Sequence, residues 1–117
     1  MPAPRGTGGA AEAAAAQFLA GQGLSLICAN YRCRLGEIDL VLRDGPSIVF
    51  VEVRLRTNPG FGGAAESIGP RKRARIIAAA RHYLAGKPEP PCRFDVVLLD
   101  RLEPPRIEWI RDAISEN

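Results

Sequence analysis

Apolar and polar residues alternate along several short runs of the chain. The pattern is clearest in Glu37–Leu42, and Ile48–Val53 and Arg93–Leu99 are rich in β-branched and other apolar residues. Side chains of a strand point alternately to its two faces, so these runs are typical of strands. Weaker patterns of the same kind span Leu24–Tyr31 and Ile107–Ile110. We therefore predict five strands.

Two other segments have helical patterns. Ala10–Ala20 consists almost entirely of strong helix formers, and this helix should end at Gly21 or Gly23. Pro70 should begin a second helix, whose apolar residues recur at helical spacing: Ile76, Ile77, Ala80, Tyr83 and Leu84. The resulting order, α-β-β-β-α-β-β, predicts an α/β fold with a mixed sheet flanked by helices.

Turn-forming residues separate these elements. Asp44–Ser47 favours a β-hairpin between the second and third strands, and Asn58–Gly63 is typical of a flexible loop. Met1–Gly9 is rich in Pro, Gly and small residues and predicts a flexible tail. With 117 residues in the chain, residues 10–117 should form a single domain around one core.

Composition narrows the possible functions. A formal charge of +3 tolerates an anionic partner without requiring one. Three cysteines without a C-x-x-C spacing and a single histidine make a zinc site improbable. The longest apolar run, Ile48–Val51, is far shorter than the roughly 20 residues that cross a bilayer, and Glu12 and Gln17 interrupt any export signal. We expect a cytoplasmic protein with no membrane segment.

Two acidic residues lie within the predicted strands. Strict alternation places Asp39 opposite the apolar face of its own strand, formed by Ile38, Leu40 and Leu42. Glu52 lies in one of the most apolar stretches of the chain. If the hairpin pairs Arg43 with Ile48, counting along the ladder puts Asp39 opposite Glu52.

Two carboxylates in such positions repel each other unless a cation neutralises them or one keeps its proton. A hard divalent cation fits that requirement. Alternatively, Glu52 pairs with Arg54 or Arg56 and Asp39 bonds to a backbone amide, without a metal. A turn changed by one residue would also place the two acids on opposite faces.

Three blocks, Gly36–Leu40, Val49–Arg54 and Arg93–Val97, resemble the YraN-like family of uncharacterised bacterial proteins. The resemblance covers nearly the whole chain and extends to Gly60–Ala65 followed by Lys72, to the closing Ile107–Ala113 and to Glu12. That family is similar to the PD-(D/E)xK nucleases and the archaeal Holliday junction resolvases. The resemblance therefore implies a restriction-endonuclease-like core.

It also implies a metal-dependent phosphodiesterase acting on DNA, with branched or otherwise structured DNA as a candidate substrate. Asp39, Glu52 and the backbone carbonyl of Val53 would hold Mg²⁺ or Mn²⁺, and Glu12 resembles the helix-borne acid that supports such sites. The metal would orient and acidify an attacking water. Resolvase-like relatives act as dimers, which implies a homodimer by analogy.

One position departs from the nuclease pattern, because Arg54 stands where the pattern has Lys. Arg stays protonated and cannot act as a general base, but it can clamp the scissile phosphate. Lys72 could reach in from the second helix instead. The departure leaves open two other functions: a catalytically weak or inactive nucleic-acid-binding module of the same fold, and a small adaptor protein in DNA metabolism.

Four cations, Arg56, Arg71, Lys72 and Arg75, are candidates for holding a nucleic-acid backbone. The alternative for the second helix is a solvated face. Asp95 is predicted to be structural and to bond Arg93 or a loop amide. Tyr83 and Trp109 are expected in the core rather than as base-stacking platforms.

Overall fold

The computed structural model describes residues 6–55, 68–88, 90–102 and 104–114. Its elements are α1 (Gly6–Gly21), β1 (Ser25–Cys33), β2 (Gly36–Asp44), β3 (Ser47–Leu55), α2 (Pro70–Leu84), β4 (Cys92–Leu102) and β5 (Pro105–Ile110). Within these residues, the predicted order of helices and strands is confirmed. The loop expected at Asn58–Gly63 lies outside the described residues.

Helix α1 begins at Gly6 rather than at Ala10, so part of the segment expected as a tail is helical. Its end is as predicted. Gly23 adopts a φ of 99°, a left-handed conformation that glycine adopts without steric cost. The amide of Leu24 donates to the carbonyl of Leu19 and that of Gly23 to Ala20, both at 3.1 Å, which closes the helix in a Schellman motif.

The five strands form one sheet in the order β1-β2-β3-β4-β5. Strands β3 and β4 pair in parallel, and the other neighbours pair antiparallel, so the sheet is mixed as predicted. Helices α1 and α2 cover opposite faces: Ile76 of α2 belongs to one apolar core and Leu19 of α1 to the other. No helix in the described part of the chain is long and apolar enough to cross a membrane.

The central strands are buried on both sides. On β3, Ile48 and Phe50 face the α2 core, whereas Val49 and Val51 face the α1 core. This double burial explains why β3 and β4 read as nearly continuous apolar runs rather than as alternating ones. It also makes Glu52, on the same strand, an exception that needs an explanation.

The expected alternation along β2 is wrong at one position. Ile38 and Val41 both belong to the α2 core, whereas Leu40 and Leu42 belong to the α1 core. Strict alternation would put Ile38 with Leu40, so the pattern breaks between them, at Asp39. The physical reason lies in the pairing: the ladder with β3 ends at Leu40, and the preceding part of β2 pairs with β1 alone.

Gly36 is buried at the start of β2, where the strand touches the backbone of α2. A Cβ at this position would lie 2.5 Å from the carbonyl oxygen of Arg75. We expect Gly36→Ala to push the strand and the helix apart and to lower the free energy of unfolding by about 1–3 kcal/mol, measured by urea denaturation. Gly21→Ala, which meets open space, is the matched control. Equal stabilities of the two variants would contradict the close approach.

Candidate functional site

Asp39 lies where β2 leaves β3. The last ladder pair between these strands is Leu40 with Val51, and the predicted pairing of Arg43 with Ile48 is confirmed. Beyond Leu40 the Asp39 carboxylate takes the place of a ladder partner, since its Oδ2 accepts a 2.8 Å hydrogen bond from the amide of Val53. The side chain is thereby fixed beside β3 at the level of Glu52.

Glu52 projects from β3 with only 5% of its surface exposed. Its carboxylate lies within hydrogen-bonding reach of Asp39, so the two acids meet as predicted. The predicted ladder pairing of Asp39 with Glu52 is wrong, because the ladder ends one pair earlier, at Leu40 and Val51. Two cations approach the same oxygen: Lys72 Nζ is 3.2 Å and Arg54 Nη1 is 3.6 Å from Glu52 Oε2. Lys72 thus reaches in from α2, as the sequence suggests.

Glu12 adds a third carboxylate from the opposite side of the sheet. It projects from α1, is half-buried, and lies within hydrogen-bonding reach of both Asp39 and Asn30. Glu12, Asp39 and Glu52 therefore form one group, which we call the acidic cluster. It joins α1, β2 and β3 where β2 and β3 diverge. Sequence reasoning missed Asn30, because nothing in its neighbourhood marks it as different from other strand residues.

Crowding of negative charge changes the protonation of this cluster. Burial, followed by repulsion from Asp39, raises the pKa of Glu52 from its ordinary 4.5 to about 7, although Lys72 opposes the shift. Burial and Asp39 raise the pKa of Glu12 to about 7 in the same way, and a hydrogen bond from Asn30 opposes it. Near neutral pH, Glu12 and Glu52 therefore retain protons that ordinary carboxyl groups have lost, and a cation that binds the cluster would displace these protons.

Asp39 and Glu52 offer carboxylate oxygens, which are hard donors of the kind that Mg²⁺ prefers, and the nuclease pattern adds the backbone carbonyl of Val53, which follows Glu52. This ion keeps several waters and usually takes one or two carboxylates from the protein. Among the described residues, no three His, Cys, Asp or Glu side chains form a group that could hold a metal ion by themselves. The donor set therefore fits a water-rich Mg²⁺ site with two carboxylates rather than an all-protein cage.

The contacts expected without a metal are also present. Glu52 lies near Arg54, and Asp39 accepts a backbone amide. These contacts balance part of the charge on Glu52. They leave the mutual repulsion of the three carboxylates in place, as the raised pKa values of Glu12 and Glu52 indicate.

The other candidate cations have mixed positions. Arg71 and Arg75 are exposed on α2, the helix that carries Lys72. Arg54 is about one third exposed beside Glu52. Arg56 lies outside the described residues. A basic helix face therefore adjoins the acidic cluster through Lys72.

Asp95 has the structural role predicted for it. It is fully buried on β4 and accepts hydrogen bonds from Arg93 Nε at 3.1 Å and from the amide of Asp112 at 2.9 Å. The indole Nε1 of Trp109 donates a third, at 2.9 Å, which the sequence did not reveal. Arg93 also reaches Asp44 at 3.0 Å. This network ties β4 to β5 and to the hairpin turn.

A shallow cavity of about 330 Å³ lies away from the acidic cluster. It opens beside the hairpin turn and the end of α2, and its lining includes Arg43, Ile48, Tyr83 and Lys87. Tyr83 contributes to the α2 core as predicted, and the ammonium of Lys87 lies 4.6 Å from its ring centroid. The cavity contains none of the predicted site residues.

The fold and site together define a mixed α/β protein with a cluster of acidic residues at the divergence of two central strands. The chain belongs to the uncharacterised protein family UPF0102, whose family model matches residues 11–99. This confirms the resemblance to the YraN-like family.

Close relatives come from several bacteria and carry no functional name. A UPF0102 protein of Nitrosospira multiformis is 55% identical over 94% of this chain and 93% of its own length. One from Nitrosomonas europaea is 53% identical over 94% of both chains. One from Ralstonia nicotianae is 53% identical over 97% of this chain and 92% of its own length.

The raised pKa values predict how stability depends on pH. Between the ordinary value of 4.5 and about 7, the folded protein binds protons at Glu12 and Glu52 more tightly than the unfolded chain does. The free energy of unfolding should therefore fall as pH rises from about 5 to about 8 in EDTA, measured by urea denaturation. Asp39→Asn removes a charge that raises both pKa values and keeps an oxygen for the Val53 amide. This variant should show a shallower fall, and an unchanged slope would argue against the repulsion.

Proposed function

We propose that this protein is a metal-dependent phosphodiesterase that cleaves DNA, including branched or otherwise structured DNA, and that its sheet is a restriction-endonuclease-like core. The observation that carries the proposal is the contact between Asp39 and Glu52 at the point where β2 leaves β3, with Glu52 buried. A buried carboxylate in contact with a half-buried one is costly to a fold unless a cation or a proton offsets the charge.

In this proposal, Asp39, Glu52 and the backbone carbonyl of Val53 hold Mg²⁺ or Mn²⁺. The bound ion would supply an acidified water and would offset negative charge in the transition state. Glu12, whose pKa is raised to about 7, would be suited to accept a proton from an attacking water near neutral pH. The role of this residue follows from its position beside Asp39.

The cations near the acidic cluster would bind different phosphate groups of the DNA. Arg54 remains protonated and can bind a phosphodiester through two N–H groups. Lys72 approaches Glu52 from α2 and would pair with the phosphate as a point charge if its contact with that carboxylate were released. Arg71 and Arg75 extend positive charge along the same helix and would hold the neighbouring backbone.

Two wider elements of the proposal rest on analogy with the resolvases. Cleavage of a four-way DNA junction requires two cuts, so a homodimer would place two acidic clusters on one substrate. The proposal also keeps the protein in the cytoplasm, where bacterial DNA is found. Both elements follow from the proposed substrate.

A second candidate is a nucleic-acid-binding module with the same fold and little or no turnover. The observation that favours it is the balance of charge around Glu52, where Lys72 and Arg54 already approach one carboxylate oxygen. A site balanced in this way can persist without a metal. The presence of Arg at position 54, where the nuclease pattern has Lys, points in the same direction.

Cleavage assays separate these candidates. We expect the wild type to cut flapped or four-way-branched DNA with Mg²⁺ or Mn²⁺ and not in EDTA. Asp39→Asn and Glu52→Gln should each lower the rate at least a hundredfold, since each removes a metal ligand, on the order of 3 kcal/mol in the barrier. Linear DNA of the same length reports on substrate preference.

Glu108→Gln, an exposed position on β5, is the matched control and should cut like the wild type. Cleavage that persists in the Asp39 and Glu52 variants would indicate a contaminating nuclease and end the enzyme proposal. Salt-sensitive binding without cleavage would leave the binding module. If the protein binds neither a metal ion nor DNA, the remaining candidate is the small adaptor protein.

The DNA-binding role of α2 predicts a change in salt dependence. Each lost phosphate contact lowers the slope of log K against log salt concentration by about 0.9. Arg71→Ala should produce one such decrease, measured by fluorescence anisotropy with labelled duplex across a salt series. Arg106→Ala, which removes an exposed cation on β5, should leave the slope unchanged. Equal decreases in the two variants would mean that only net charge matters.

A further inference from the structure

Asn30 has an unusual backbone for a residue inside a strand. It lies on β1 with a φ of 56°, in the left-handed region that non-glycine residues seldom occupy. Asn tolerates this region better than most residues, but the conformation persists only where the surroundings require it. Such backbone outliers concentrate at functional sites.

The outlier coincides with a break in the pattern of β1. Cys28 and Tyr31 both pack against the α2 core, although strict alternation would send residues three apart to opposite faces. A β-bulge between Leu26 and Cys28 disturbs the strand nearby. Asn30 itself falls between Cys28 and Tyr31, where its left-handed backbone can redirect the chain.

The break in β1 faces the break in β2. Ala29 pairs with Leu40 and Tyr31 with Ile38, so the register places Asn30 directly opposite Asp39. Both strands therefore change face at the same level, where β2 has left β3. Because both strands change face at the same level, β1 and β2 remain paired on both sides of the break.

The side chain of Asn30 makes the second connection. Its amide donates a hydrogen bond to the carboxylate of Glu12, the residue that α1 contributes to the acidic cluster. Asn30 is thus linked to Asp39 through the backbone and to Glu12 through the side chain.

We propose that Asn30 is a positioning residue of the acidic cluster: its left-handed backbone directs Asp39 toward Glu52, and its amide holds Glu12 beside Asp39. The catalytic meaning of this role rests on the proposed function. The left-handed backbone and the hydrogen bond to Glu12 together favour Asn at position 30. Gly would adopt the backbone but offer no amide, and Asp would place a fourth negative charge against Glu12.

Asn30→Gly separates the two tasks, because it keeps the backbone and removes the amide. We expect it to lower the cleavage rate at saturating DNA about tenfold or more, the scale of one lost hydrogen bond to a charged group. Asn30→Asp should lower the rate further. Ala29→Gly, at the exposed neighbouring position, is the matched control for a glycine in β1. A rate loss in Asn30→Gly no larger than in this control would overturn the proposal.

A double-mutant cycle with Glu12→Gln tests whether Asn30 acts through Glu12. In the Glu12→Gln background, Asn30→Gly should cost little further activity, whereas independent roles would give multiplied losses and overturn the proposal. The combined Glu12→Gln, Asn30→Asp variant reverses donor and acceptor. It should recover thermal stability toward the wild type without recovering cleavage.

The same cycle, measured by thermal unfolding in EDTA, does not depend on catalysis. Coupled shifts in the midpoint support the contact between Asn30 and Glu12 even if the wild type proves unable to cut DNA, in which case the proposed function alone fails. Additive shifts would overturn the positioning role whether or not the protein is a nuclease.

Discussion

Where β2 separates from β3, the backbone amide of Val53 would lose the partner that a continued ladder provides. The carboxylate of Asp39 accepts this amide instead. Buried backbone groups without partners cost free energy, so the divergence of the strands requires a side-chain acceptor at this level. Because this acceptor is a carboxylate, its negative charge repels the neighbouring carboxylates of Glu52 and Glu12.

The rest of the site responds to that charge. Glu52 cannot move away, because β3 is central in the sheet and its neighbours are fixed in two apolar cores. Two cations approach its carboxylate, Lys72 from α2 and Arg54 from β3 itself. On the α1 side, Asn30 offers a neutral hydrogen bond to Glu12. Polar contacts from α2, β3 and β1 thus balance the charge of the cluster, while α1 adds a further acid.

The sequence predicted the order of the elements because the signals are local: helix formers before Gly21, turn residues in the hairpin, and β-branched residues in the central strands. It also predicted the register of the hairpin and the meeting of Asp39 with Glu52. It could not predict the break in alternation at Asp39, since this depends on where β2 loses β3 as a neighbour. Strict alternation of side chains between two faces is expected for a strand that keeps the same neighbours along its whole length, and β2 does not.

Asn30 escaped prediction for a related reason. A left-handed residue within a strand leaves no periodic trace, and its hydrogen bond to Glu12 spans two elements that are separated in sequence. The indole of Trp109 on Asp95 is a contact of the same long-range kind. Residue type and spacing identify groups that carry chemistry, but the groups that hold them in place are defined by tertiary contacts.

The close approach of Gly36 to the carbonyl of Arg75 joins two main chains without any side chain between them. One of these main chains leads to Asp39 and the other carries Lys72. This contact therefore fixes the distance between the backbones that carry Asp39 and Lys72, and only their side chains add rotatable bonds. Arg75 is exposed to solvent, although its Cβ also lies next to Gly36. A substitution beyond the Cβ of residue 75 can therefore change the charge of the helix surface while the contact between the two main chains is kept.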